Sequence, residues 1–246
     1  MCTPLGTILF FANAITETCS CPESNKYLLL IKSQVAMMQS FMGDLLDFNQ
    51  LKDGVFSMSR EPFSPSEVIQ NVCQILGPQA ENNQTVLTWS REAGLRPPVE
   101  HMDLSWVDDA EDTIPQLVGD KRRLQQVLVN LVKNSTKFTR GGHIHIKACY
   151  NRLSGLLIIH VTDTGVGIAQ EDLNKLFNRF SKLHKTASIN QEGFGLGLNI
   201  CRQIVEQAGG CIRAYSNGVD RGSQFVFSMH MDVPDAPEQL SPQMLK

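Results

Sequence analysis

Asp163, Asn130, Asn134 and Lys137 are residues whose types and spacing could do chemistry. Asp163 follows an apolar run of Leu156, Leu157, Ile158, Ile159 and Val161, so it stands where a buried strand empties into a turn. A carboxylate there can accept a hydrogen bond from an exocyclic amine such as adenine's. Within D-T-G-V-G-I, Gly165 and Gly167 let backbone approach a flat ring with no Cβ in the way. Asn130 and Asn134 are four apart, with Lys137 three further on, which puts all three on one side of a helix. An amide oxygen can hold a hard cation such as magnesium, and the Lys137 ammonium can meet phosphate. Downstream, G-F-G-L-G-L places Gly193, Gly195 and Gly197 before an apolar helical pattern. A glycine-rich loop feeding a helix N-terminus offers free N–H groups and the favourable dipole end to phosphate. With a base at one end and phosphates at the other, the set describes a nucleotide pocket. Each part has a plainer reading by itself, since glycine pairs mark tight turns and polar helix residues form solvated edges. No such reading covers the helical trio together with two glycine motifs.

The elements that must carry these residues follow from periodicity. Leu124, Val127, Leu128, Leu131 and Val132 form the i, i+3, i+4, i+7, i+8 stripe of a helix over Asp120–Thr139. Gly142–Asn151 and Gly155–Asp163 read as strands joined by a turn at Arg152–Ser154. A last helix over Leu196–Gln207 ends at Gly209-Gly210, and two closing strands begin at Cys211 and Ser223. Between the glycine motifs, Ala169–Glu192 ends in a polar stretch without periodicity, the expected place of a lid over nucleotide. Arg179, Lys182 and Lys185 are its candidates for phosphate contact, the alternative for each alone being a solvated basic patch.

These segments resemble the motifs of sensor histidine kinases. N-L-V-K-N-S-T-K-F-T is similar to their N box, D-T-G-V-G to the G1 box, L-F-N-R-F to the F box and G-F-G-L-G-L to the G2 box, in the family's order and across nearly the whole chain. The resemblance implies the ATP-binding fold shared by histidine kinases, type II topoisomerases, mismatch-repair ATPases and a heat-shock chaperone, a two-layer α/β sandwich with a mixed sheet. It adds Leu196 and Leu198 of the G2 box, Phe177 and Phe180 as F-box aromatics that anchor the lid, and Ser223 in a turn similar to the G3 motif. Gln224 departs from the pattern, where the family often has threonine.

Upstream, Leu5, Ile8, Leu9, Ala12 and Ile15, then Leu29, Val35, Met38, Phe41, Met42, Leu45 and Phe48, keep helical spacing on either side of a polar turn. Two amphipathic helices cannot bury both faces alone, so residues 1–53 are expected to form a hairpin that pairs with a copy of itself into a four-helix bundle. The alternative is a helical extension packed on its own catalytic domain. Thr3-Pro4-Leu5 is similar to the tail of the family's H box, which sets the acceptor histidine and its acidic neighbour just before residue 1. Either the chain has been cut there or it lacks its own acceptor. His143 and His145 alternate along a strand as a surface or half-buried pair, and His160, inside an apolar strand, is expected to be a hydrogen-bonded core residue.

The domain boundary falls near residue 54. V-F-S-M-S-R-E-P-F reads as a strand, and Ser64, Pro65 and Glu67 then mark a helix start as N-cap, first-turn proline and capping-box residue. Thr85–Arg91 is a further strand; Glu92–Gln116, rich in proline and acid, reads as an enlarged surface loop. The ATP-binding domain extends to residue 233, and 234–246 reads as a flexible tail or linker. The fold class is thus α+β.

Composition agrees. With 42% apolar and 19% charged residues in 246, the chain can bury real cores, while a net charge of −3 argues against a general nucleic-acid binder. No apolar run of eighteen residues suggests a membrane span, and seven scattered cysteines without a C-x-x-C pair suggest a reducing compartment. The expected location is cytoplasmic, free or as part of a longer membrane-anchored protein.

The resemblance implies phosphoryl transfer from ATP to a histidine nitrogen, with magnesium held by Asn134 and Asn130, a homodimer through the helical hairpin, and onward transfer to an aspartate of a response-regulator receiver domain. No catalytic acceptor lies in this chain, so this fragment alone is not expected to label itself. The alternatives are an acceptor-less ATP-binding dimerisation or regulatory module, and another ATPase of the same superfamily.

Overall fold

The computed structural model describes residues 58–93, 95, 113–178 and 195–234, with isolated helical positions between 7 and 42. Two compact units divide the chain, one formed by Met1–Phe56 and Asn178–Ile200, the other by Ser57–Phe177 and Cys201–Lys246. In the first unit the expected hairpin lies outside the described residues except for those isolated positions, of which Leu28 and Val35 are buried. Most of the acidic loop, the expected lid from residue 179 onward, residues 193 and 194, and the tail beyond Pro234 also lie outside them.

The elements in chain order are β1 (Glu61–Phe63), α1 (Pro65–Asn82), β2 (Val86–Arg91), β3 (Leu117–Gly119), α2 (Lys121–Phe138), β4 (His143–Asn151), β5 (Leu156–Asp163), β6 (Gly167–Ile168), α3 (Gln170–Leu173), α4 (Gly197–Gln207), β7 (Cys211–Tyr215), β8 (Gly218–Val219) and β9 (Ser223–His230). Five strands make one sheet in the order β2-β4-β5-β9-β7. It is mixed, because β2 runs parallel to β4 while the other neighbours are antiparallel. A parallel pair needs a crossover, and the chain between β2 and β4 supplies one that includes α2.

Alternation decides which face is buried. Ile144, Ile146 and Ala148 of β4 and Leu157, Ile159 and Val161 of β5 are fully buried, whereas His145, Lys147, His160 and Thr162 between them are only half-buried. Helix α2 packs on β4 and β5, with Leu124, Val127, Leu128, Leu131 and Val132 as its buried stripe. Each such fully buried side chain contributes about 1.5–3 kcal/mol. Helix α1 packs on α2 and β2, and its Ser64 cap accepts from the Glu67 N–H at 3.3 Å. Cys201 Sγ of α4 donates to the Val127 carbonyl at 3.9 Å.

Two expectations are corrected here. The strand read from Val55 to Phe63 is confined, among described residues, to Glu61–Phe63, because its partner β3 is only three residues long. Ser59 leaves the ladder and donates its N–H to Asp120 Oδ2 at 2.9 Å. His160 is no core residue: it lies half-buried on the outer face of β5, opposite the packed helices. Directly after the acidic loop, Leu117–Gly119 form β3, a short strand outside the elements expected from the sequence.

Candidate nucleotide-binding site

Asp163 is the last residue of β5 and only 5% exposed, so its carboxylate must be met by donors. Four are present. Oδ1 accepts the Gly165 N–H at 2.9 Å and the Ser223 N–H at 3.3 Å. Oδ2 accepts the Ser223 hydroxyl at 2.6 Å and the Ser135 hydroxyl at 3.2 Å. The donors come from the turn after β5, the start of β9 and helix α2, so three elements fix one carboxylate.

Ser223 is the ladder partner of Asp163, which brings its side chain and N–H to the same end of the sheet. Gln224 is turned away: its amide donates to Thr162 Oγ1 at 3.1 Å on the outer face. The departure from the family pattern at Gln224 therefore leaves the bonds to Asp163 to its neighbour.

Gly165 and Gly167 have an internal reason for being glycine, independent of any ligand. A Cβ on Gly165 would run into the Phe138 carbonyl oxygen at the end of α2 and stand 2.8 Å from Thr139 Oγ1. The Val166 N–H donates to that same carbonyl at 3.1 Å, so the turn is tied to the helix end. Gly167 has φ of +65° and faces the Gly218 carbonyl of the β6–β8 pair, leaving no room for a side chain. Ser216 sews this pair down, accepting from the Ile168 N–H at 3.0 Å and donating to the Gly222 carbonyl at 2.7 Å. Two-residue strands carry no periodicity, which is why β6 and β8 escape sequence reading.

Helix α2 begins at its N-cap Asp120, whose Oδ1 accepts the Arg123 N–H at 3.0 Å. Asn130 and Asn134 are half-buried, apart from the buried stripe, and Lys137 holds its ammonium 5.4 Å from the Phe138 ring centroid. Ser135, buried beside Asn134, is the residue that sequence reading missed. Only its place next to an N-box asparagine hinted at it. Among the described residues no group of three or more His, Cys, Asp or Glu could cage a metal. Two amides one helical turn apart suit magnesium, which keeps most of its waters and binds through few protein ligands together with phosphate. His145 is engaged otherwise, with its two ring nitrogens 2.7 Å from Thr88 Oγ1 and 2.9 Å from Ser90 Oγ.

The remaining expected residues separate. Phe177 is half-buried beyond α3. Arg179, Phe180, Lys182, Lys185 and Gly193 lie outside the described residues. Gly195, Leu196, Gly197 and Leu198 belong to the first unit, where Gly195 has φ of +72° and Leu196, 1% exposed, accepts the Ile200 N–H at 2.9 Å as α4 opens. A glycine turn running straight into a helix N-terminus is the local form expected of a phosphate-facing loop.

Residues 119–233 match the family of histidine kinase-, DNA gyrase B- and HSP90-like ATPases. Over 247 residues the chain is 32% identical to the sensor histidine kinase GacS of Pseudomonas protegens, covering 96% of this chain and 24% of that protein. Over 234 residues it is 29% identical to the signal transduction histidine-protein kinase BarA of Escherichia coli, covering 94% and 23% respectively. The crystal structure of full-length ShkA in complex with AMPPNP matches with a TM-score of 0.71 at 23% identity, over 96% of this chain and 44% of that one. The Acinetobacter baumannii histidine kinase AdeS matches with a TM-score of 0.61 at 20% identity, over 92% and 95%. At these identities the structural matches establish the fold.

Residues 119–233 thus form an ATP-binding domain of the histidine kinase, gyrase B and HSP90 class. Over almost its whole length the chain is similar to proteins named sensor histidine kinases. It spans about a quarter of the length of these two curated relatives. Among the described residues, no helix is long and apolar enough to cross a membrane.

Proposed function

We propose that this chain is the ATP-binding kinase core of a two-component phosphorelay. The observation that carries this reading is the buried Asp163 carboxylate, held by four donors and bonded through Ser135 to the helix that bears Asn130, Asn134 and Lys137. In this reading Asp163 accepts the exocyclic amine of adenine, and Gly165 and Gly167 flank the ring. Lys137, with Arg179 and Lys182 of the lid, offsets phosphate charge, and the G2 segment of Gly193, Gly195, Leu196, Gly197 and Leu198 offers N–H groups to it. Phe177 and Phe180 anchor the lid. Asn134 and Asn130 are the ligands for magnesium, which supplies charge neutralisation on the phosphates when bound.

The acceptor is a histidine ahead of Thr3-Pro4-Leu5 in a longer form of this chain, or one in a partner. Its imidazole nitrogen attacks the γ-phosphorus in line as the bond to the β,γ-bridging oxygen breaks, and ADP leaves. Little covalent chemistry falls to the protein, so positioning and electrostatics suffice. Residues 1–53 form the dimerising hairpin, 54–233 the catalytic domain and 234–246 a linker. The phosphoryl group passes onward to a receiver-domain aspartate.

The test is phosphorylation from γ-labelled ATP, comparing this chain with a version extended upstream through the H box. Acid-labile label confined to the extended chain is the expected result. ATP binding with no label in either would turn the reading to a regulatory nucleotide-binding module.

A further inference from the structure

We infer that Ser135 is a positioning residue for purine selectivity: its buried hydroxyl orients Asp163 so that a purine with an amine at C6 is preferred to one with a carbonyl there. The inference rests on the reading of Asp163 as the base-facing carboxylate. Ser135 is 2% exposed and its hydroxyl donates to Asp163 Oδ2 at 3.2 Å. A serine in a helix ordinarily has a closer acceptor, the carbonyl four residues back. Thr136 takes that option, donating to the Val132 carbonyl at 2.9 Å. Ser135 instead reaches across to the sheet.

The geometry gives the bond a purpose. The final torsion of an aspartate is broad, so N–H bonds to Oδ1 alone would leave the carboxylate free to pivot about that oxygen. Two hydroxyls converge on Oδ2, Ser223 from β9 and Ser135 from α2, and together they close that freedom. An ionised carboxylate only accepts hydrogen bonds, so it attracts an exocyclic amine and repels a carbonyl oxygen. A site built to pair with a substrate N–H rejects analogues lacking it strongly, provided its own group cannot turn away. Ser135 also joins the base-reading carboxylate to the helix turn carrying Asn134.

The experiment measures affinity for ATP and inosine triphosphate, each with magnesium, in the wild-type chain, Ser135→Ala, Ser135→Cys and Asp163→Asn. Ser135→Ala is expected to lower the ATP-to-inosine-triphosphate affinity ratio about three- to tenfold, a part of what one charge-assisted bond is worth, since the Ser223 hydroxyl still holds Oδ2. The near-isosteric Ser135→Cys, a weaker donor, should give an intermediate ratio and serves should the alanine variant fold poorly. A merely structural role would weaken both nucleotides alike and leave the ratio unchanged. An unchanged ratio in both serine variants, with ATP binding lost in Asp163→Asn, overturns the role of Ser135 and spares the nucleotide reading. Undiminished ATP binding in Asp163→Asn overturns both.

Discussion

The Ser223 hydroxyl donates to Asp163 Oδ2 at 2.6 Å, across a ladder in which the two residues are register partners. The strand pairing of β5 and β9 thereby sets the orientation of the carboxylate on which the nucleotide reading turns. Ser223→Ala removes this bond and keeps the backbone N–H bond at 3.3 Å. Bonds to charged groups are worth about 1.5–3 kcal/mol, so ATP affinity should fall by about tenfold or more. Calorimetric titration checks this, with thermal unfolding as the control for folding.

Gly165→Ala tests the internal reason for the first glycine of the G1 box. The added Cβ meets the Phe138 carbonyl and stands 2.8 Å from Thr139 Oγ1. Backbone at the end of α2 must then shift, at a cost of about 1–3 kcal/mol typical of overpacking. Urea unfolding should show that loss without any nucleotide present. Stability equal to wild type would mean the glycine serves only the ligand.

Asp120 caps α2 through Oδ1 and holds the incoming chain at Ser59 through Oδ2. Asp120→Ala loses both bonds. Loss of an N-cap alone costs about 0.5–2 kcal/mol, and the Ser59 N–H loses its partner as well. The expected result is a lowered midpoint in urea, with Asp120→Asn retaining part of the difference.

Tyr150 is buried, and its hydroxyl donates to the Met231 carbonyl at 2.8 Å. Burial, then the nearby Asp232 carboxylate, raises its pKa above the ordinary value, with Arg152 partly opposing. The folded chain therefore keeps this proton to higher pH than the unfolded chain does. Its contribution to stability is complete below about pH 10 and is lost as pH rises through the raised folded value. Tyr150→Phe should cost about 1 kcal/mol at neutral pH and flatten the alkaline fall in unfolding midpoint.

Much of this fold is legible in the residues themselves, because burial imposes a period. The stripe of Leu124, Val127, Leu128, Leu131 and Val132 announces α2, and β4 and β5 fall within a residue of their expected ends. Asp163 is legible as well, since a carboxylate closing an apolar strand has to be explained. What escapes depends on pairing rather than pattern. Strand β3 exists because β1 lies beside it, and the β6–β8 pair is too short to show alternation. His160 reads as core in its apolar strand, yet alternation turns it to the outer face. Ser135 is invisible for the same reason, as its meaning comes from a carboxylate 28 residues away in sequence.

The central claim is that Asp163 reads the base of ATP beside a helix whose Asn134 serves its phosphates. Calorimetric titration of Mg-ATP into the wild-type chain, Asp163→Asn and Asn134→Ala tests it most directly. The account predicts saturable binding by the wild type, weakened at least tenfold in each variant, with thermal unfolding showing both variants still folded. Wild-type affinity in the two folded variants would contradict it.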